Sequence, residues 1–178
     1  GMIAHSRGRW SDRLRQELMR ASVEHDTVAL VMLDLDDFKR VNDVYGHGIG
    51  DQLLLRVADI LRSSVRASDV VCRIGGEEFA IVMPSCDLWS AMGLAERVAA
   101  ELGKLEADAV GQLTFSTGVA VGPDHAANPR ELVACAEAAM MTAKTRGRAL
   151  ICAFDESALE RPSAEDVRRD DLRSIAHL

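Results

Sequence analysis

Aromatic residues are scarce in this chain: four phenylalanines, two tryptophans and one tyrosine among 178 residues. A sequence-tolerant binder of single-stranded nucleic acid stacks bases on aromatic rings, and this composition argues against that class. Positive charge is short as well. Twenty-one Lys and Arg stand against 28 Asp and Glu, a net charge of −7, so a general affinity for phosphate backbones or anionic membranes is not expected. No apolar run approaches the roughly 18 residues of a membrane span, and no signal-peptide pattern is present. Cys72, Cys86, Cys135 and Cys152 lie far apart with no C-x-x-C pair, which argues against a structural zinc site. Three of them sit inside apolar runs and read as small core residues in a reducing compartment, so a cytoplasmic protein is expected.

What is present is an ordinary globular mixture, 48% hydrophobic and 28% charged, enough for one domain with a packed core. Trp10, Leu14 and Leu18 recur at helical spacing within 9–24. Residues 27–33, TVALVML, form a continuous apolar run and read as a central strand. A short helix over 37–45 follows, with Asp36 as its expected N-cap and Asp37 beside it, then a helix over 51–65. The runs DVVCRI and EEFAIVM flank Gly75-Gly76, which predicts a two-residue hairpin turn. A helix over 88–106, a strand over 113–121, an alanine-rich helix over 129–146 stopped by Gly147, and a last strand over 149–154 complete the pattern. Met140 and Met141 both read as core. Residues 155–178 are charged and read as a tail or linker. A hairpin inside such an order predicts an α+β fold, a mainly antiparallel sheet flanked by helices.

The carboxylates carry the chemistry. Asp34 closes the first central strand and Glu77 opens the strand after the hairpin. If these strands are antiparallel neighbours, the two carboxylates converge at one edge of the sheet and repel each other unless a cation joins them. Hard oxygen ligands suit magnesium, which is commonly held by few protein ligands together with substrate phosphates. The plain alternative is that Glu77 and Glu78 are polar hairpin residues. Nearby Lys, Arg and glycine, which lets a ligand approach the backbone, favour the metal reading.

The stretches DLDDFKRVNDVYGHGIGD, RIGGEEFAIVM, FSTGVA and AKTRGR, in this order, resemble the GGDEF family, the diguanylate cyclases. The likeness spans about residues 6–154, so the domain is expected over 1–154. The family's opening D-x-L-T-G-L-x-N-R is represented only by His5-Ser6-Arg7, a truncated form. The resemblance implies a palm-like, nucleotide-cyclase-like α/β fold with a GGEEF β-hairpin. It implies condensation of two GTP into cyclic di-GMP and two pyrophosphates at a two-fold homodimer interface, with two Mg2+ or Mn2+ ions per site. By the same resemblance Asp34, Glu77 and the Leu35 carbonyl hold metal, with Glu78 and Arg73 contributing to catalysis. Asn42 and Asp51 read guanine, whose edge offers the donors and acceptor that a carboxylate and an amide complement. Lys39, Lys144, Arg148 and the backbone near Phe38 contact phosphate. Arg66 and Asp69 match the R-x-x-D product-inhibition site, joined by Arg97. His47 and Asp43 read as local structural residues. The alternative is a non-catalytic module that binds GTP or cyclic di-GMP. Either reading leaves room for a sensory or phosphodiesterase domain in a longer native protein.

Overall fold

A computed structural model describes residues 7–105 and 111–155. The order is α1 (Arg7–Glu24), β1 (Val28–Leu35), α2 (Phe38–Tyr45), α3 (His47–Ser64), β2 (Val70–Arg73), β3 (Glu78–Pro84), α4 (Leu88–Gly103), β4 (Phe115–Gly122), α5 (Pro129–Thr145) and β5 (Ile151–Ala153). The five strands form one sheet in the order β2-β3-β1-β4-β5. The β1–β3, β1–β4 and β2–β3 pairs are antiparallel and β4–β5 is parallel, which is the mainly antiparallel sheet the sequence predicts.

The apolar run of β1 places it at the centre, because a strand hydrophobic on both faces must be covered on both. Its alternation divides the core. Ala29, Val31 and Leu33 pack with Phe38, Leu54, Leu61, Leu94 and Val98 beneath α2, α3 and α4. Val28, Leu30 and Met32 pack with Leu14, Leu18, Leu132 and Ala136 beneath α1 and α5. Burying each of the larger of these side chains contributes about 1.5–3 kcal/mol.

At Gly118 of β4, an added Cβ would lie 2.1 Å from the Ala136 carbonyl oxygen and 2.3 Å from the Met140 nitrogen. The glycine therefore lets α5 lie with its backbone directly on the sheet. Met140 is buried there, but Met141 is 51% exposed. The expectation that both methionines are core fails because adjacent helix positions turn by about 100°.

The helix α3 begins four residues earlier than predicted. Gly46, at φ 87°, makes the break from α2, a conformation open mainly to glycine. Cys72, Cys86 and Cys135 are buried and Cys152 is half-buried. No helix among the described residues is long and apolar enough to cross a membrane. The opening Ser6 and the tail beyond Asp155 lie outside the described residues, and Arg7 opens α1.

Candidate active site

The end of β1, the hairpin, the start of α2 and the end of α5 meet around a cavity of about 290 Å3. Asp34, Asp36, Asp37 and Glu77 supply four acidic side chains, and Lys39, Arg40, Lys144 and Arg148 supply four basic ones. A larger cavity of about 620 Å3 lies between α1 and the start of α5, beside Trp10. It brings together only Arg130 and Glu137 as charged groups, so the charged side chains concentrate at the smaller one.

Asp34 and Glu77 both line that smaller cavity with Leu35, but not as direct cross-strand partners. The residue paired with Asp34 on β3 is Glu78, and on β4 it is Ser116. Glu77 sits one step outside the β3 ladder, where its carbonyl accepts from Leu35 N at 3.1 Å. This bond to β1 also sets the turn. Arg73 pairs with Phe79 and Ile74 N donates to the Glu78 carbonyl at 2.9 Å. Gly75, Gly76 and Glu77 thus form a three-residue connection, not the two-residue turn the sequence suggests, and neither glycine has a positive φ. An added Cβ at Gly76 would meet nothing within 4 Å, so the turn leaves open space above it.

The Arg73 guanidinium donates from Nε to the Gly75 and Gly76 carbonyls, both at 3.1 Å, and from Nη2 to Gly76 at 2.7 Å. It holds the turn from its own strand. The Glu78 carboxylate lies close to Gly75, where an added Cβ would be 3.7 Å from Oε2. The two glutamates therefore have different surroundings: Glu77 lines the cavity, whereas Glu78 is in the ladder under the turn.

Two cations already sit on the acids. Lys144 Nζ donates to Asp34 Oδ2 at 2.5 Å, with the two side chains 27% and 15% exposed. Arg148 Nη1 donates to Asp37 Oδ1 at 3.0 Å. Lys39 is exposed at the first turn of α2, and Phe38 is buried beside it.

Asp36 does not cap α2. It is 8% exposed and accepts from Thr114 Oγ1 at 2.7 Å, Ser116 Oγ at 2.7 Å and Ala149 N at 3.0 Å. Three donors satisfy the buried carboxylate, and no sequence pattern announced this. Asp37 occupies the N-cap position at φ 56° but makes no side-chain cap hydrogen bond. Arg148 and Ala149 also take positive φ, 67° and 52°. Such backbone persists only where neighbours over-determine it, and here the Asp36–Ala149 and Arg148–Asp37 bonds do so.

Asn42 and Asp51 lie off this cavity on the α2–α3 pair. Asn42 is half-buried and Asp51 exposed. The Asn42 Oδ1 lies where a Cβ on Gly50 would be only 1.9 Å away, so the amide rests on the residue before Asp51. Asn42 is one helical turn beyond Phe38, about 6 Å along the axis. His47 begins α3 and is exposed, as is Asp43.

A second constellation stands apart. After α3, Arg66 Nη2 donates to Asp69 Oδ1 at 2.8 Å and to the Pro84 carbonyl at 2.7 Å, and Arg66 N donates to Asp69 Oδ2 at 2.8 Å. The Asp69 carboxylate beside it raises the guanidinium's pKa further. Arg97 lies on the exposed face of α4.

A family profile described as "Diguanylate cyclase, GGDEF domain" matches residues 5–149. The chain is 37% identical over 149 residues to the bifunctional diguanylate cyclase/cyclic di-GMP phosphodiesterase MucR of Pseudomonas aeruginosa, an alignment covering 82% of this chain and 22% of MucR. Its fold matches the crystal structure of the GGDEF domain of TpbB from the same organism with a TM-score of 0.79 and 31% identity, over 84% of this chain and 95% of that one. It also matches the GGDEF domain of DgcB from Caulobacter crescentus in complex with cyclic di-GMP, with a TM-score of 0.78 and 28% identity, over 87% of this chain and 92% of that one. The chain belongs to the GGDEF family of diguanylate cyclase domains. It spans about a fifth of the length of MucR.

Proposed function

We propose that this chain is the cyclase domain of a protein that condenses two GTP into cyclic di-GMP and two pyrophosphates. The observation that carries the proposal is the convergence of Asp34 and Glu77 on one cavity that also holds Lys39, Lys144 and Arg148. Two half-buried carboxylates and a main-chain carbonyl from Leu35 are an incomplete set of hard oxygen donors. Among the described residues no group of three His, Cys, Asp or Glu gathers to hold a metal. This arrangement fits Mg2+ or Mn2+, because magnesium takes one or two carboxylates and completes its octahedron with water and substrate phosphate. The ammonium of Lys144 resting on Asp34 supports a cation at this carboxylate. Bound there, divalent ions, two per site in our reading, would lower the pKa of a 3′-hydroxyl and neutralise charge at the α-phosphate.

The chain's own residues then bind and orient. Arg40 N donates to the Asp37 carbonyl at 3.1 Å, but the N–H groups of Phe38 and Lys39 precede any intrahelical acceptor, and Asp37 provides no side-chain cap. Triphosphate oxygens at Phe38 and Lys39 would supply those acceptors, aided by the positive end of the helix. Lys144 and Arg148 reach the same phosphates from the opposite wall. Asn42 and Asp51, a turn further along, receive the guanine: the carboxylate accepts from ring and amino N–H, and the amide donates to a purine acceptor. Arg73 and Glu78 hold the turn that carries Glu77, acting through position.

In each half-reaction the 3′-hydroxyl of one nucleotide gives its proton to solvent and its oxygen bonds to the α-phosphorus of the other, while the bond to the bridging oxygen breaks and pyrophosphate leaves with its electron pair. One site presents one GTP, so two domains must face each other with two-fold symmetry to close the ring. The Arg66–Asp69 pair and Arg97 form a separate product-binding site that limits turnover. Incubation of the dimerised protein with GTP and Mg2+, followed by chromatography for cyclic di-GMP, tests the reading. GTP binding with no product would replace it with a regulatory binding module.

A further inference from the structure

Trp89, in the first turn of α4, is 87% exposed. A tryptophan side chain can bury roughly 150–250 Å2, so leaving it in water forgoes a large gain. A single exposed apolar residue needs no explanation by itself. This one is aligned with others. Trp89, Gly93 and Arg97 follow at i, i+4 and i+8, which places them along one side of the helix. Leu94, Ala95, Val98 and Leu102 carry the buried side. A Cβ on Gly93 would meet Arg97 Nη1 at 3.8 Å. The guanidinium therefore folds back toward the N-terminus over a position that has no side chain. The stripe reads as an indole, a bare floor and a planar cation.

The start of α4 also adjoins the Arg66–Asp69 pair. Arg66 Nη2 reaches the Pro84 carbonyl at 2.7 Å, two residues before the buried Cys86. Asp87 is the N-cap of α4, accepting from Ser90 N at 2.7 Å. The chain thus runs from the Arg66 contact into the turn that carries Trp89. Arg66 is oriented by Asp69 through Nε and Nη2, while its side chain stays 49% exposed.

We propose that Trp89 is a stacking platform for a guanine base of cyclic di-GMP at the Arg66–Asp69 site, with Arg97 over Gly93 as the planar cation beside the same ligand. The inference rests on the product-site reading above. An indole face and two guanidinium groups suit a ligand made of purine rings and phosphodiesters, because bases stack on aromatic faces and arginine forks meet phosphate. The DgcB domain that shares this fold was solved in complex with cyclic di-GMP.

The chain's two tryptophans make the test direct. Trp10 is 9% exposed in the core beneath α1 and α5, so ligand-dependent emission reports on Trp89. Cyclic di-GMP titrated into the protein should quench tryptophan fluorescence with the midpoint that calorimetry gives for binding. Trp89→Ala should weaken binding about 5- to 100-fold, the loss of one base–aromatic stack, and Trp89→Phe should recover most of it. Trp89 is solvent-exposed, so melting temperatures should stay near that of the parent. If Arg66→Ala weakens binding while Trp89→Ala does not, the platform is refuted and the product site stands. If Arg66→Ala leaves affinity unchanged, the product-site reading itself fails. Absence of any binding by the parent protein overturns both.

Discussion

Removing the Lys144 ammonium should make the nucleotide-free protein a better metal binder. Lys144 Nζ lies 2.5 Å from Asp34 Oδ2, on the carboxylate that the metal reading assigns to the cation. The pair is neither fully buried nor open, at 27% and 15% side-chain exposure, so solvent screens it only in part. A hydrogen bond to a charged group contributes about 1.5–3 kcal/mol. A divalent ion that takes Asp34 must first displace that bond. At about 1.4 kcal/mol per tenfold, Lys144→Met should tighten Mn2+ binding about 10- to 100-fold in the absence of nucleotide, with the aliphatic stem kept. Mn2+ titration followed by electron paramagnetic resonance reads free ion directly, without turnover. With GTP present the sign should reverse for the nucleotide, because the same lysine is then missing from the phosphates: KM for GTP should rise. Asp34→Asn should abolish the high-affinity ion in both backgrounds. Equal or weaker Mn2+ binding by Lys144→Met would show that the ammonium does not stand in the cation's place.

Glu77→Gln should abolish cyclic di-GMP formation by chromatography while GTP still binds, and normal turnover would remove Glu77 from the metal site. Arg66→Ala should relieve product inhibition in a progress curve with added cyclic di-GMP, and unchanged inhibition would count against the second site. Gly118→Ala should destabilise the domain by about 1–3 kcal/mol in urea unfolding, the usual range for overpacking, because its Cβ would strike α5 backbone at 2.1 Å; a neutral effect would mean that α5 does not rest on that residue. Asp26 has its pKa lowered by the Ser85 hydroxyl first, then by Thr27 N and Arg20. A carboxyl with a depressed folded pKa adds stability above its unfolded value, near 3.8, and loses it as pH falls through the folded one. Asp26→Asn should therefore flatten the acid limb of the stability–pH curve below about pH 4, and an unchanged limb would refute the assignment.

The elements were legible where hydrophobic period was strong. β1 was a continuous apolar run, and α4 and α5 showed a clear buried stripe. The polar residues that line the cavity were legible because they fall in a few contiguous motifs at strand and helix ends. What escaped the sequence depends on contacts remote along the chain. The three donors on Asp36 come from residues 78, 80 and 113 positions away, so local spacing suggested a helix cap instead. The turn was misread for a related reason: Gly-Gly implies a tight connection, but β1 captures the Glu77 carbonyl and leaves β2 to close the ladder one residue later. Gly118 stood inside a quoted motif, yet only the approach of α5 shows why a side chain cannot be there.

In the proposed reaction the charge pattern of the cavity would let so acidic a chain receive a triphosphate. Its four acidic and four basic side chains are partly paired with one another, Lys144 with Asp34 and Arg148 with Asp37. Before substrate, these ion pairs keep the carboxylates from repelling each other at the sheet edge. In the proposed reaction the partners exchange: cations that rest on carboxylates turn to phosphate, and metal ions replace them on the acids. Affinity then depends on the difference between two sets of ion pairs rather than on any one set. Residues exchanging partners in this way cannot act additively. Lys144 and Asp34 should thus show strong coupling in a double-mutant cycle on GTP binding with Mg2+, whereas Asn42, which touches the α2–α3 pair instead, should combine additively with either.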